Sequence, residues 1–312
     1  MKDIYNRYSF FLKNKYGTKV YKLPVNIPVT CPNRICQKGG CTYCDEKGAG
    51  YDNLPGIFSV SEQIRKNMDY IGKKYKAEKF IAYFQNFTNT YLPLPEFKKY
   101  ITEAAMENVC EIAVSTRPDC IAYPYLDVLK NVSEKYGREI TIELGLQSPN
   151  WHTLEKINRG HTLAEFIDAV LMIKKYRYGI CVHLILNLPW DDESDCIEAA
   201  KILSALGVDF IKLHSLYIAE GTKMAEQYKN HEFSICNIDE YKKRVISFLR
   251  YLSPDIYVER LVSRAPSDAL FANWSTSWWK IRDDIEKEMK ENGYFQGDMC
   301  SYLGGREVKK FI

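Results

Sequence analysis

The chain has 312 residues, 46% of them apolar and 27% charged, with a formal net charge of +3. That balance excludes intrinsic disorder, and the small charge excludes the strongly basic footprint of a dedicated nucleic-acid module while still permitting an RNA partner. No uncharged apolar run approaches the roughly 18 residues a spanning helix needs, and the opening MKDIYNRYSFFLKNKYG lacks an apolar segment with a small-residue cleavage site, so a soluble cytoplasmic protein with no membrane partner is expected.

The first strand is expected at residues 19–25. It leads into TCPNRICQKGGCTYC, which places Cys31, Cys36, Cys41 and Cys44 within fourteen positions, four of the ten cysteines in the chain. Beyond this stretch, short β-rich runs alternate with amphipathic helical patterns in units of roughly 30 residues. Further strands are expected at 79–84, 111–115, 140–146, 180–186 and 210–216. Between them, SEQIRKNMDYIGKKY lines up Ile64, Met68, Ile71 and Tyr75, and LAEFIDAVLMIKKY lines up Phe166, Val170 and Ile173, each on one helical face. Helices also fit 94–107, 123–134, 194–206 and 239–252. Parallel neighbours need crossover connections, so six such units predict an α/β fold, a partial (β/α)6 barrel, with a doubly wound sheet as the alternative. From about residue 253 the pattern changes: SPDIYVERLVS reads as an extra strand and WSTSWWKIRDDIEKEMKENG as a helix. The expected division is therefore 1–252, the barrel with its N-terminal segment and cysteine loop, and 253–312, a C-terminal α/β extension packed on it. Trp274, Trp278 and Trp279 could stack bases or cover the barrel mouth, although ordinary packing is the commoner role.

Clustered thiolates in a cytosolic chain bind zinc or iron with sulfide. Three arrangements fit the spacing. Four cysteines make a closed structural zinc site; Cys36, Cys41 and Cys44 with a distant fourth make a two-iron ferredoxin site; Cys31, Cys41 and Cys44 make an open 4Fe-4S site with one iron free for a small molecule. The loop follows the first strand at its C-terminal end, the face on which α/β folds bind ligands, and a purely structural knot has no reason to prefer that place.

TCPNR, GGCTYC, FQNFTNTY, STRPDC, ELGLQS, INRGH, KLHSLYIAEGT and FQGDMC, in that order, resemble the radical S-adenosylmethionine (radical SAM) enzymes. The likeness is to a branch related to elongator catalytic-subunit-like and oxygen-independent coproporphyrinogen oxidase-like proteins. It spans roughly residues 5–305. It implies a partial radical SAM barrel and a 4Fe-4S cluster on Cys31, Cys41 and Cys44, with Cys36 outside the ligand set. It also implies SAM chelated to the free iron, an electron donor such as flavodoxin or ferredoxin, and reductive cleavage to a 5′-deoxyadenosyl radical. On the cofactor side it implies Tyr43 against adenine, Gln85 in the turn that meets the SAM amino group, Gln147 at the ribose and Arg159 at the SAM carboxylate, with His183 and Asn187 on the fifth strand and its end. On the substrate side the polar groups at strand ends are Arg117, Asp119, Glu143, Lys212 and His214, with His161 nearby. Cys120 and Cys300 are thiols in reach of a hydrogen-transfer or relay role, with inert burial as the commoner one. The implied substrate is a tRNA wobble uridine whose carboxymethylaminomethyl side chain is remodelled to aminomethyl. A small molecule or peptide is the enzymatic alternative, and a non-catalytic zinc protein the alternative of another class.

Overall fold

The computed structural model describes residues 3–35, 39–45 and 54–311. In chain order the elements are α1 (Tyr8–Tyr16), β1 (Val20–Val25), α2 (Pro32–Ile35), α3 (Val60–Tyr75), β2 (Lys79–Phe84), α4 (Leu94–Ala104), β3 (Val109–Thr116) and α5 (Tyr123–Tyr136). There follow β4 (Glu139–Gln147), α6 (Trp151–Lys156), α7 (Leu163–Lys174), β5 (Gly179–Ile185), α8 (Glu193–Leu206), β6 (Phe210–His214) and β7 (Tyr217–Ile218). The chain continues through α9 (Lys223–Lys229), α10 (Ile238–Tyr251), β8 (Tyr257–Arg260), β9 (Phe271–Ala272) and α11 (Trp278–Glu291). The main sheet has the order β1-β2-β3-β4-β5-β6-β8, and β7 pairs antiparallel with β9.

Each of the six expected strands is present. Their helices start where the sequence supplies caps. Ser59 with Glu62, Thr162 with Glu165 and Asp192 with Asp195 close capping boxes on α3, α7 and α8, each pair satisfying backbone N–H groups that the first helical turn leaves without partners. The segment YVER was expected as an extra strand, and it joins the main sheet as the parallel neighbour of β6, with Tyr257 N donating to Asp209 O at 2.9 Å. The helices α1, α6 and α9 and the β7–β9 pair are additions; nine residues or fewer leave too little periodicity to read.

The chain divides into two compact units. One, called here the cysteine unit, comprises Ser9–Leu146 and Asn158–Val182. Its strands β1, β2, β3 and β4 are parallel, with Leu23 opposite Ala82, Ala82 opposite Ile112 and Ile112 opposite Ile140. Leu23, Ile81, Phe84, Ile112, Phe97 and Leu129 are fully buried there, each worth about 1.5–3 kcal/mol of apolar transfer.

The other, the histidine unit, comprises Met1–Tyr8, Gln147–Ile157 and His183–Ile312. Within it α10 packs between α8 and α11. Gln296, from the FQGD motif, accepts from Asn6 N at 2.9 Å and donates to the carbonyls of Ser253 and Ile256, both at 2.7 Å. It thereby ties the segment before α1 to the start of β8. Trp274 is packed, its indole donating to Cys236 O at 2.8 Å, whereas Trp278 and Trp279 on α11 are exposed. Among the described residues no helix is long and apolar enough to cross a membrane.

Candidate functional site

In the cysteine unit, β1 ends at Val25 and the chain reaches Cys31, whose carbonyl accepts from Arg34 N at 2.9 Å as the short helix α2 opens. Gly40, at φ +80°, then returns the chain so that its N–H meets Asn33 O at 2.9 Å, and a tight turn joins Cys44 N to Cys41 O at 3.0 Å. Two asparagines lock this loop to the one after α6. Asn33 Nδ2 donates to Asn158 O at 2.6 Å, and Asn158 Nδ2 donates to Gly40 O at 2.7 Å. Gly160 lies at φ +74°, where a Cβ would sit 2.6 Å from Asn33 Oδ1 and 3.3 Å from Arg117 Nη2, so only glycine lets the loops approach.

The three cysteines each meet nitrogen donors. Arg117 Nη1 lies 3.9 Å from Cys31 Sγ, Arg159 Nη1 and Asn33 Nδ2 each lie 3.6 Å from Cys41 Sγ, and Arg34 Nη1 lies 3.8 Å from Cys44 Sγ. Arg117 also grips Asp119 through Nε at 2.8 Å and Nη2 at 2.7 Å, and its Nη1 donates to Arg159 O at 2.7 Å. Arg159 Nη2 donates to Gly145 O at 2.7 Å, which leaves its buried Nε without a partner among the described residues. Burial pushes the Cys44 thiol up to about 11, with Cys41 beside it adding to the rise. Burial, with the neighbouring Cys41 thiol adding to it, also holds the Tyr43 phenol well above its ordinary value. Cys36 lies outside the described residues.

The turn after β2 is held by Asn89, whose Nδ2 donates to the carbonyls of Phe84, Asn86 and Ser115 at 3.0, 3.0 and 2.9 Å. Asn86 Nδ2 donates to Asn26 Oδ1 at 3.2 Å, and the buried Oδ1 atoms of both Asn86 and Asn89 have no partner among the described residues. Gln85 is half-buried directly after the strand. Glu143 on β4 accepts from Lys22 Nζ on β1 at 2.6 Å, with the carboxylate side chain fully buried. His161 faces the carbonyls of Gly145 at 3.0 Å and Thr162 at 3.3 Å, and burial, with Arg159 and Arg117 adding to it, lowers its imidazole to about 3. Burial raises the half-exposed Cys120 thiol to about 12.

The remaining expected residues fall in the histidine unit. Gln147 closes β4 at φ +75°, a conformation uncommon for a residue with a side chain. Asn187 is fully buried two residues after β5; its Oδ1 accepts from Leu216 N at 2.7 Å and its Nδ2 has no partner among the described residues. His183 and His214 are brought together at 3.1 Å, and Arg260 Nη2 reaches His214 Nδ1 at 2.8 Å. Lys212 pairs with Glu259 at 2.9 Å. Cys300 is half-buried in this unit.

Sequence reasoning did not single out Arg34, Asn33, Asn158 or Asn89, although all four stand inside quoted motifs. It named Asn86 only as standing where a glycine is expected and Lys22 only among the basic residues near the start, and it placed Arg260 in an extra strand without a role.

Residues 25–203 match the Radical SAM superfamily, and residues 208–291 match the Radical_SAM C-terminal domain. The chain belongs to the radical SAM superfamily and is an enzyme of that class, whose members use a 4Fe-4S cluster and SAM. Over 306 residues it is 31% identical to the protein YtqA of Bacillus subtilis (strain 168), covering 96% of this chain and 94% of that one. A more distant likeness, 25% over 212 residues, is to a tRNA uridine(34) acetyltransferase of Methanocaldococcus jannaschii, covering 67% of this chain and 37% of that one. Among solved structures, archaeal Elp3 of Methanocaldococcus infernus with an N-terminal deletion matches at TM-score 0.69 and 16% identity, covering 89% of this chain and 64% of that one. The shared fold is the α/β partial barrel with a C-terminal extension.

The donor set fits the family's cofactors. Three thiols on one loop, each approached by N–H donors, suit a cluster held by thiolates. Buried, unpartnered amide oxygens on Asn86 and Asn89 suit a ligand that brings N–H donors.

Proposed function

We propose that Cys31, Cys41 and Cys44 hold the 4Fe-4S cluster and that the enzyme remodels the side chain of a tRNA wobble uridine, from carboxymethylaminomethyl to aminomethyl. The observation that carries the first half is the loop itself, which presents these three cysteines and surrounds them with Asn33, Arg34, Arg117 and Arg159. When bound, the cluster and SAM supply a 5′-deoxyadenosyl radical, after an electron from a donor such as flavodoxin or ferredoxin.

The chain's own residues bind and orient. The Oδ1 atoms of Asn86 and Asn89 are the acceptors for the SAM ammonium, in a turn whose side chains stand where a glycine-rich backbone would otherwise approach. Arg159 Nε is the remaining donor on a guanidinium whose two terminal nitrogens are engaged. Within the histidine unit, Asn187 Nδ2 is a buried donor with no partner among the described residues, suited to an acceptor on a ligand. Arg117 and Lys212 each face a carboxylate, Asp119 and Glu259, so the cation assigned to a substrate carboxylate is Arg260, which the geometry joins to His214 and His183.

Three features support tRNA: the tRNA uridine(34) acetyltransferase among the relatives, the basic segments near residues 13–22 and 306–310, and the exposed Trp278 and Trp279. The test has two parts. Anaerobic reconstitution with iron and sulfide is expected to give a brown protein that cleaves SAM to 5′-deoxyadenosine, and stable colourless binding of one zinc with no cleavage would overturn the cluster assignment. Wobble nucleosides from cells with and without the gene are expected to differ; identical nucleosides would redirect the enzyme to a small molecule or peptide.

A further inference from the structure

We propose that Arg34, Arg117 and Arg159 form a cationic collar, one guanidinium to each cysteine, that raises the reduction potential of the cluster held there. The inference rests on the assignment of Cys31, Cys41 and Cys44 as ligands.

The three arginines come from different places in the cysteine unit: α2, the turn after β3 and the loop after α6. They nevertheless divide the sulfurs without overlap, Arg34 to Cys44, Arg117 to Cys31 and Arg159 to Cys41. Arg117 and Arg159 are only 3% and 7% exposed. A buried guanidinium is costly unless an anion faces it. Arg117 has Asp119, whereas the terminal nitrogens of Arg159 meet a backbone carbonyl and Cys41 Sγ. The anion that balances Arg159 is therefore the thiolate set itself.

The electrostatic consequence follows from charge. One-electron reduction by dithionite adds one negative charge to the cluster and its thiolates, and oxidises the dithionite-derived donor. Fixed cations and N–H donors at the sulfurs stabilise that added charge, more strongly where water is excluded. The three arginines are not equivalent. Asp119 offsets Arg117, Arg34 is half-buried and partly screened by solvent, and Arg159 is buried with its charge turned to the sulfurs, so the contributions rank Arg159, then Arg34, then Arg117.

The experiment is a potentiometric titration with dithionite, followed by electron paramagnetic resonance, on the anaerobically reconstituted full chain without SAM. Arg159→Gln, Arg34→Gln and Arg117→Gln are each expected to move the midpoint to more negative potential, in that order of size. Arg159→Lys and Arg34→Lys, which keep the charge, are expected to recover most of the shift. A role confined to holding the loop predicts lost cluster content with no change in the midpoint of what remains. Should Arg159→Gln take up no cluster, Arg34→Gln decides, because that side chain lies nearer the surface. Midpoints equal to the parent's at full iron and sulfide content overturn the collar alone, whereas a Cys31→Ala protein that keeps its cluster overturns the ligand assignment beneath it.

Discussion

The two units solve the problem of placing polar groups in opposite ways. In the cysteine unit the groups are held by backbone: Gly40 and Gly160 at positive φ, and asparagine amides clamped on carbonyls, fix where each sulfur points. In the histidine unit His183, His214, Lys212, Glu259 and Arg260 stand on neighbouring strands and are positioned by one another. A loop locked by its backbone suits a cofactor that every turnover uses. Strand-end side chains can be exchanged without refolding anything, which suits the part of an enzyme that chooses its substrate.

The sharpest break of this contrast is at the cysteines. Cys31→Ala, Cys41→Ala and Cys44→Ala are each expected to abolish the 4Fe-4S absorbance after reconstitution, while Cys36→Ala keeps most of it. His214→Ala is expected to leave the absorbance intact and lower turnover. Loss of the spectrum in Cys36→Ala equal to that in Cys31→Ala would return a four-cysteine site.

Next in size is the buried pair of Lys22 and Glu143. Removing one partner of such a pair costs about 3–5 kcal/mol, whereas replacing both by apolar residues is often close to neutral. Lys22→Met is thus expected to lower the urea midpoint strongly, and Lys22→Met with Glu143→Leu to recover most of it. A double variant as unstable as the single one would show that Glu143 is not the group Lys22 serves.

Gly160→Ala tests the backbone lock directly. The added Cβ meets Asn33 Oδ1 at 2.6 Å in a left-handed conformation, so a loss of about 1–3 kcal/mol is expected, together with lower cluster content, because Asn33 also touches Cys41. Gly137→Ala, at φ +65° with nothing within 4 Å of the new Cβ, separates conformational strain from the clash. It is expected to cost about 1 kcal/mol and leave the cluster content unchanged. Equal cluster content in both variants would remove Gly160 from the lock.

These contrasts also explain what could be read from the sequence. The run KFIAYF announces β2 because apolar and aromatic residues sit together, and the caps before α3, α7 and α8 mark helix starts. The cysteine cluster is legible because its spacing is local. The approach of Arg117 to Cys31 is not, since it needs the end of β3 and the loop after β1 to meet across 86 positions, a matter of sheet order. Arg260 is illegible for the same reason: YVER is four residues long, and only its parallel pairing beside β6 sets the guanidinium against His214.

A pH-dependent effect separates burial from site chemistry within the histidine unit. Burial raises Asp191 to about 6 from an ordinary 3.8, against hydrogen bonds from Thr153, whose Oγ1 donates at 2.5 Å, and from Ser148. Between those two values the folded chain holds a proton that the unfolded chain has lost. Stability therefore falls as pH rises from about 4 to 6 and stays at its lower level above that. Asp191→Asn keeps the oxygen that accepts from Thr153 and removes the charge. The variant is expected to match the parent below pH 4 and to exceed it above pH 6 by about 3 kcal/mol, as read from urea midpoints on metal-free protein. A difference independent of pH would mean that the carboxyl is not the group penalised by burial.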